Sequence, residues 1–338
     1  MRREHVVLVL AFVLALAFPV LAEGDSSGAS GARSAWLAWE KVTVAAAGAD
    51  EPAAEPAPAA EGPPLPFHSI EGVSGAPITP MAYLCNAGPE GTKIGKPTAS
   101  YTFLNLGSKK LHMVSVTQTF LRRIELSYAW NCMDLGSLPD DIKKAGLDAG
   151  RHHVCLHHFN ARLLVLPENS FGLPLPALTV GAHFKYNEGI DTINRKLGGA
   201  LTALGYDSHY GMDFTLTASK TLPKLAFGRP VILTAGMRNS RAAQIGYLGF
   251  GDECSTTVEG SVACLVLDNL AVAYEFRQKV NPYDELDGLI GRETHWHAVS
   301  ASWVVSNNLT VTGVWGCLGN IANARANCAW GVQVKYEF

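Results

Sequence analysis

The sequence has few charged residues and, beyond its first 22 positions, no long hydrophobic run. Charged residues make up 17% of the chain and hydrophobic residues 48%, with 33 glycines and a net charge of −3. No later stretch approaches the ~20 apolar residues that a membrane helix needs, and amphipathic helical periodicity is nearly absent. The charge excludes a basic nucleic-acid-binding surface, and the missing periodicity argues against a soluble enzyme with several helices.

Linear catalytic motifs are also scarce. Residues 67–338 contain no G-x-S-x-G, H-E-x-x-H or G-x-x-x-x-G-K pattern. These patterns place a nucleophile, a zinc ion or a phosphate group, so their absence favours a protein that is not an enzyme. Some outer-membrane lipid hydrolases build a Ser-His site that leaves no linear motif. The prediction that the protein is not an enzyme therefore rests only on the absence of these patterns.

The N-terminus has the organisation of a signal peptide. Arg2 and Arg3 precede an apolar run over 6–20, and a polar, acidic stretch begins at Glu23 after Ala22. This order of segments predicts cleavage after residue 22. The alternative is a membrane anchor helix, but its uncharged span is at the short limit for a bilayer.

The next segment, 23–66, is dominated by Ala, Pro, Glu and Gly. Such a composition cannot bury enough apolar surface to offset the entropy of ordering, so we expect a disordered periplasmic leader. The remaining residues, 67–338, are then a single domain.

Within this domain the strongest pattern is an alternation of apolar and polar residues in stretches of about ten. In the last stretch Val334, Tyr336 and Phe338 alternate with Lys335 and Glu337. Lys or Glu in hydrocarbon would cost several kcal/mol, so the second face must line a polar lumen. A soluble β-sandwich also alternates, but its outward face would contain many more charges. The pattern predicts an all-β, transmembrane antiparallel barrel in a bacterial outer membrane.

The number of alternating stretches predicts about 12–14 strands, with a slight preference for fourteen. An even count is expected for a barrel with both ends in the periplasm. The candidates are a short strand near 67–73, then 78–85, 97–106, 111–120, 122–133, 152–166, 176–187, 211–222, 229–238, 255–267, 269–278, 295–305, 308–318 and 327–338.

The lengths of the connections assign the two ends of the barrel. Counting back from Phe338 places the tight turns at 121–123, 268–269 and 306–308 on the periplasmic side. Short periplasmic turns and long outer loops are typical of these barrels. The outer connections are 134–151, 188–210, 239–254 and 279–294. Apolar residues at helical spacing in 188–210 predict a short helix that caps or plugs the mouth.

The alternation also assigns ten charged side chains to the lumen, five of each sign. They are Glu125, Asp213, Glu259, Glu275 and Glu337, with Arg162, Lys185, Arg238, Arg277 and Lys335. A strongly ion-selective pore would show a surplus of one sign. Two interpretations remain open: interior ion pairs that brace a narrow barrel, or a mixed-charge constriction for a zwitterionic or weakly polar solute.

Seven cysteines lie on an oxidising export route, where disulfides are favoured. Cys132 with Cys155, and Cys317 with Cys328, each bracket an outer loop on adjacent strands, so either pair could form a bridge. The alternative is that Cys264, Cys317 and Cys328 are small lipid-facing hydrophobes. His153, Cys155 and His157 share one strand face and are weak candidates for a metal site. Histidines at the membrane interface explain the same pattern, and we predict neither metal nor cofactor.

Several ordered blocks of residues resemble an uncharacterised family of Gram-negative proteins, a domain of unknown function regarded as outer-membrane barrels. The blocks lie at 68–72, 105–109, 183–191, 213–220, 274–279 and 330–338. The resemblance extends over about 68–338 and implies the same barrel fold. It implies no activity, because the family has none established, and it does not include the cysteines or the histidines of 152–158.

These observations favour a passive channel or translocation barrel for small solutes, since the predicted inner face is polar and rich in small residues. The alternatives are a plugged structural or surface-interaction barrel and, with least support, an enzyme that modifies lipids or glycans. The expected partners are outer-membrane lipid, the barrel-insertion machinery and a small solute, with no nucleic acid. The sequence leaves the oligomeric state open.

The chain end gives the first testable prediction. Val332, Val334, Tyr336 and Phe338 form an alternating aromatic-terminated strand that resembles the C-terminal signal of barrels recognised by the outer-membrane insertion machinery. Replacing both Tyr336 and Phe338 with Ala should lower the amount of assembled protein in outer-membrane fractions, while pulse-labelling shows unchanged synthesis. Equal assembly of the wild type and the double variant would contradict this assignment.

Overall fold

The described part of the chain is a closed antiparallel β-barrel. The structure is a computed structural model that describes residues 68–338 except 145, 227, 287, 288 and 327. The predicted signal peptide (1–22) and leader (23–66) lie outside the described residues. Twelve strands pair with their neighbours along the chain, and the first and last strands pair to close the barrel.

The barrel strands are β1 (Thr98–Asn105), β2 (Lys110–Phe120), β3 (Ile124–Asp134), β4 (His153–Leu166), β5 (Ala177–Asn187), β6 (Tyr210–Ala226), β7 (Arg229–Ala242), β8 (Phe250–Leu267), β9 (Leu270–Arg277), β10 (Trp296–Val304), β11 (Leu309–Cys317) and β14 (Ala329–Glu337). Two short strands, β12 (Asn320–Ile321) and β13 (Ala324–Arg325), form a separate hairpin in the connection before β14.

Helices occur in the longer connections. They are α1 (Leu138–Lys144), α2 (Ile190–Lys196) and α3 (Ala200–Ala203), with 3-10 turns at Ser170–Gly172 and Ala243–Gly246. The short helix predicted in 188–210 is therefore present as α2, followed by α3, whereas the sequence analysis did not predict α1. No helix among the described residues is long and apolar enough to cross a membrane.

The barrel prediction is confirmed, and the count of twelve is the lower of the two predicted. The preference for fourteen strands was wrong, because neither 67–73 nor 78–85 contributes a strand in the described residues. Pro77 and Pro80 lack the N–H that a ladder requires, and Gly72 has φ of +82°, outside strand geometry. These residues instead fold back into the barrel.

The strands turn alternate side chains to opposite sides of the wall. In β14 the residues from Ala329 to Glu337 are buried and exposed in strict alternation. Trp330, Val332, Val334 and Tyr336 face outward, each with more than 40% of its surface exposed. Exposed aliphatic and aromatic side chains recur around the barrel, from Val114 on β2 to Trp315 on β11. An apolar exterior of this kind suits lipid and not water.

The two ends of the barrel differ in the length of their connections. Short turns join β2 to β3, β8 to β9 and β10 to β11 at the end where the chain terminates. Leu121 and Arg122, with φ of 51° and 55°, form the tight turn between β2 and β3. The connections that contain the helices lie at the opposite end, which we call the outer end.

The outward position of Val334 gives the second prediction. Val334→Lys should block insertion, because a lysine facing lipid costs about 2–4 kcal/mol near the bilayer midplane. Val334→Leu is the matched control, and it should insert normally because it keeps the face apolar. Heat-modifiable gel migration of membrane fractions measures the folded barrel. If Val334→Lys inserts normally and Lys335→Val does not, the assigned faces of β14 must be exchanged.

Candidate functional site

The lumen of the barrel is occupied by the chain itself. Residues 68–85, here called the lumen segment, are buried except for the half-buried Tyr83. The segment has no regular secondary structure, only isolated bridges between His68 and Ser74 and between Gly75 and Pro80. A backbone without ladder partners must satisfy its buried N–H and C=O groups in another way.

Some of these groups pair within the segment, as Ile70 N–H does with the carbonyl of Pro77, and side chains of the barrel wall supply partners for others. The carbonyl acceptors and their wall donors are His68 with Gln333, Ile70 with Asn131, Glu71 with Asn160, Gly72 with Thr117, Ser74 and Met81 with Arg162, Ala82 with Thr179, and Cys85 with Thr119. The N–H donors and their wall acceptors are Ser74 and Cys85 with Glu125, Ile78 with Glu275, and Ala82 with Ser219. Each buried group left without a partner would cost about 1–3 kcal/mol, so wall and segment fit as one hydrogen-bonded unit.

The start of the segment is fixed against β1 and β2. His68 lies 2.8 Å from the Ser100 hydroxyl through Nδ1 and 2.9 Å from the Thr117 hydroxyl through Nε2. Gly72 then turns the backbone so close to the wall that an added Cβ would lie 2.6 Å from the Cβ of Ala129. Glycine is required here both for this approach and for its positive φ.

The side chain of Glu71 projects from this turn into a cluster of charges on the wall. One carboxylate oxygen lies 2.6 Å from Nζ of Lys185, and the other lies 2.9 Å from both Arg238 and Arg277. All four side chains are at most 4% exposed. Charge-assisted hydrogen bonds in such a dry environment are among the strongest in proteins.

Two wall carboxylates complete this cluster. Asp213 lies 2.7 Å from Lys185 and 3.1 Å from Arg238, while Glu259 lies 3.2 Å from Arg238 and 3.5 Å from Arg277. Each of the three cations therefore contacts more than one carboxylate. All three cationic groups are held against the Glu71 carboxylate.

The remaining sequence-predicted charges lie in separate groups. Arg162 pairs with Glu125 at 2.8 Å, and Lys335 lies 2.7 Å from Glu337. Glu275 accepts hydrogen bonds from the lumen segment, at the N–H of Ile78 and the Thr79 hydroxyl. The structure thus places all ten predicted side chains in the interior of the barrel. It does not bring Glu275 and Arg277 together with Lys335 and Glu337, because β10 and β11 separate β9 from β14.

The central residue of the site, Glu71, was missed by the sequence analysis. It lies in the stretch that was assigned to a short strand near 67–73. Two glycines and two prolines within 72–80 argue against any strand there, and this signal was available. No local pattern indicates that a loop carboxylate meets cations from three distant strands.

An apolar cluster lies toward each end of the lumen. At the end of the short turns, Met81 of the lumen segment packs with Ile232 and Leu265. At the outer end, inward residues such as Leu111, Met133 and Leu156 pack with the outer connections. The outer residues include Ile142, Ile190, Ile193, Leu201, Ile245, Leu248, Tyr283, Leu318 and Ile321. We call this outer cluster the lid.

The cysteine and histidine predictions have different outcomes. Cys132 and Cys155 are disulfide-bonded across directly paired positions of β3 and β4. Cys328 is a free, exposed thiol, so the bridge proposed between Cys317 and Cys328 is not formed. The β11–β14 ladder that would align these two residues ends one position earlier, at Gly316 and Ala329.

The weak metal candidate is not assembled as a ligand set. The sulfur of Cys155 is in the disulfide, and Nδ1 of His157 lies 2.8 Å from the Tyr128 hydroxyl. His153 lies at the exposed start of β4. Across the described ranges of the chain, no group of three or more His, Cys, Asp or Glu residues is arranged to hold a metal ion.

The closed strand ladder, the apolar exterior and the polar, occupied interior define a transmembrane β-barrel of the outer-membrane class. The chain belongs to the family described as "Protein of unknown function (DUF3034)", whose model matches residues 66–335. This membership confirms the family resemblance of the sequence. No curated protein matches the sequence.

Several solved structures have a similar architecture. The chain resembles the KdgM porin at 11% identity, with 71% of this chain and 99% of the porin covered and a TM-score of 0.44. The NanC porin is 7% identical, with 72% of this chain and 98% of the porin covered and a TM-score of 0.44. Omp33 of Acinetobacter baumannii is 9% identical, with 73% of this chain and 99% of Omp33 covered and a TM-score of 0.40. Outer membrane phospholipase A from Escherichia coli also matches, at 8% identity, 72% and 92% coverage and a TM-score of 0.32. Likeness at these values identifies no function or ligand.

The charge cluster gives the third prediction. Arg277→Ala should destabilise the folded barrel by about 3–5 kcal/mol, because it leaves Glu71 and Glu259 short of a buried cation. Thermal unfolding in detergent, followed by circular dichroism and gel migration, measures the loss. Arg195→Ala is the control, since the contacts of the Arg195 guanidinium with Asp191 at 3.5 Å and Thr192 at 3.4 Å are exposed and their loss should have little effect. Equal unfolding temperatures for the two variants would contradict the structural role of the cluster.

Proposed function

We propose that this protein is an outer-membrane channel for small polar solutes that the lumen segment keeps closed at rest. The solute pathway is the lumen itself, and opening requires residues 68–85 to leave the wall. The lid must also open at the outer end. In this proposal the segment is a gate and its hydrogen bonds hold the closed state.

The chemistry of the wall behind the segment supports this proposal. The interior of a transmembrane barrel is polar whether it is filled by water or by protein. Here the wall is lined by small polar residues that bond across strands, such as Ser100 with Ser115, Ser219 with Thr234 and Ser302 with Thr312. Water can satisfy the same groups once the segment leaves, because hydroxyls and amides exchange protein partners for water at little net cost. The wall is therefore compatible with both an occupied and a water-filled lumen.

A second candidate function is a plugged barrel that works through its outer surface. The lid favours it, since Ile190, Ile193 and Leu201 bury apolar side chains over the mouth of the barrel. Burial of each such side chain stabilises the closed mouth by about 1.5–3 kcal/mol. An enzyme is a third candidate, but neither the wall nor the lid supplies an argument for it.

The fourth prediction separates the channel from the plugged barrel. In planar bilayers the wild-type channel should be closed for most of the recording. Glu71→Ala should raise the open probability on the order of tenfold or more, because each 1.4 kcal/mol lost from the stability of the closed state is a factor of ten in the equilibrium constant. Glu253→Ala removes an exposed carboxylate at the outer end of β8 and is the matched control. If neither the wild type nor Glu71→Ala gives conductance steps or liposome swelling, the channel proposal fails and the plugged barrel is favoured.

Movement of the segment can be measured independently of conductance. Cys85 is buried in the lumen segment, and replacing Cys254, Cys264, Cys317 and Cys328 with Ser leaves it as the remaining thiol outside the disulfide. A water-soluble maleimide should label Cys85 slowly in this protein and faster after Glu71→Ala. Raised conductance with unchanged labelling would show that the solute pathway does not depend on the lumen segment.

A further inference from the structure

The cations around Glu71 form a pocket that is built for one carboxylate. Lys185 on β5, Arg238 on β7 and Arg277 on β9 approach the two oxygens from three sides, at 2.6 Å, 2.9 Å and 2.9 Å. All three belong to the wall, whereas the carboxylate belongs to the lumen segment. The wall therefore keeps the cations when the segment moves, and only the carboxylate is removed.

The charge balance within this cluster makes the pocket incomplete without Glu71. Three cations, Lys185, Arg238 and Arg277, then face two carboxylates, Asp213 and Glu259. The cluster then has one more positive charge than it has carboxylates in direct contact, in an interior that water reaches only through the lumen. The other inward carboxylate of β9, Glu275, lies two positions from Arg277 on the same strand face. A surplus of one buried charge is costly, and a single bound anion removes it.

Contacts other than Glu71 also position two of these cations in the closed protein. Lys185 also donates to the carbonyl oxygen of Ile245 at 3.3 Å, and the guanidinium of Arg277 lies 5.6 Å from the centre of the Trp296 ring. Asp213 is in turn fixed by the Ser240 hydroxyl at 2.6 Å. Groups fixed in this way lose little freedom on binding, which favours affinity.

We infer that Lys185, Arg238 and Arg277 form a binding site for the carboxylate of a small acidic solute, and that Glu71 occupies this site in the closed protein. The inference rests on the proposed channel function, since a solute reaches the site only through the lumen. The ligand is a monoanion with two adjacent oxygens, because that is the charge and shape of the group now bound. A phosphate dianion would replace the surplus positive charge with a negative one.

One consequence is that solute and gate compete. Glu71 and a solute carboxylate cannot occupy the three cations together, so an acidic solute stabilises the state in which the lumen segment has left the wall. The solute shifts the equilibrium between the closed and open states by the difference between its binding free energies for the two states. A neutral solute of the same size lacks this preference.

The fifth prediction uses acetate to replace the missing carboxylate. Glu71→Ala removes a group that differs from acetate by one hydrogen atom, so acetate should bind in the vacated space of the folded protein. At a concentration tenfold above its Kd, acetate should raise the unfolding temperature of this variant in detergent by about 3–6 °C. Acetamide and chloride, at equal concentration and ionic strength, should not reproduce the rise.

The control for the site is Glu71→Ala combined with Arg277→Met. This double variant leaves two cations against two carboxylates, so acetate should no longer stabilise it. A rise of the same size in the double variant, or none in Glu71→Ala, would overturn the inference. A stronger effect of phosphate than of acetate would also overturn it, in favour of a dianion site.

A measurement without Glu71 variants covers the case in which they do not fold. In the protein with Cys85 as its remaining thiol outside the disulfide, acetate should speed maleimide labelling of Cys85, while chloride at the same ionic strength should not. Equal labelling in acetate and chloride counts against the site. If acetate stabilises the protein but no conductance is seen, the binding site is supported and the channel proposal is rejected. If conductance is seen but acetate has no effect, only the binding site is rejected.

Discussion

A closed barrel in a bilayer leaves its polar side chains only one place, which is the lumen. The apolar side of each strand faces lipid, so the other side must find partners among water or protein. In this protein residues 68–85 provide those partners. The dependence is mutual, because the segment has no strand ladder and its few internal backbone bonds are supplemented by wall groups such as Asn131, Arg162 and Gln333.

Glu71 contacts three wall cations, Lys185, Arg238 and Arg277. Desolvating a carboxylate and three cations is expensive, and the cost is recovered only while the group is complete and well aligned. The cluster is neutral with Glu71 in place and has one surplus positive charge without it. The same contacts thus hold the segment in the lumen and leave an anion site if the segment moves.

The two closures of the barrel are physically different, and this difference sets the functional question. The lumen segment is held by polar contacts that water can replace, as at Thr117 and Ser219, together with apolar packing of Ile70, Ile78 and Met81. The lid is held by apolar packing around Ile193 and Leu201, and opening it exposes these side chains to water at a free-energy cost. A channel requires both the lumen segment and the lid to open, whereas a surface-interaction barrel requires neither to open. Family membership and barrel architecture are common to both alternatives.

The sequence by itself determined the barrel, the direction of most wall side chains and the difference between the two ends. Alternation is a local property of period two, so stretches such as 329–337 show their lipid and lumen faces without any knowledge of their neighbours. The contents of the lumen were decided only by the tertiary structure. A segment without ladder bonds has no period to detect, and the partners of Glu71 lie 114 to 206 positions away in the chain. The disulfide and the twelve-strand count also depended on register, because closure decides which strand ends meet.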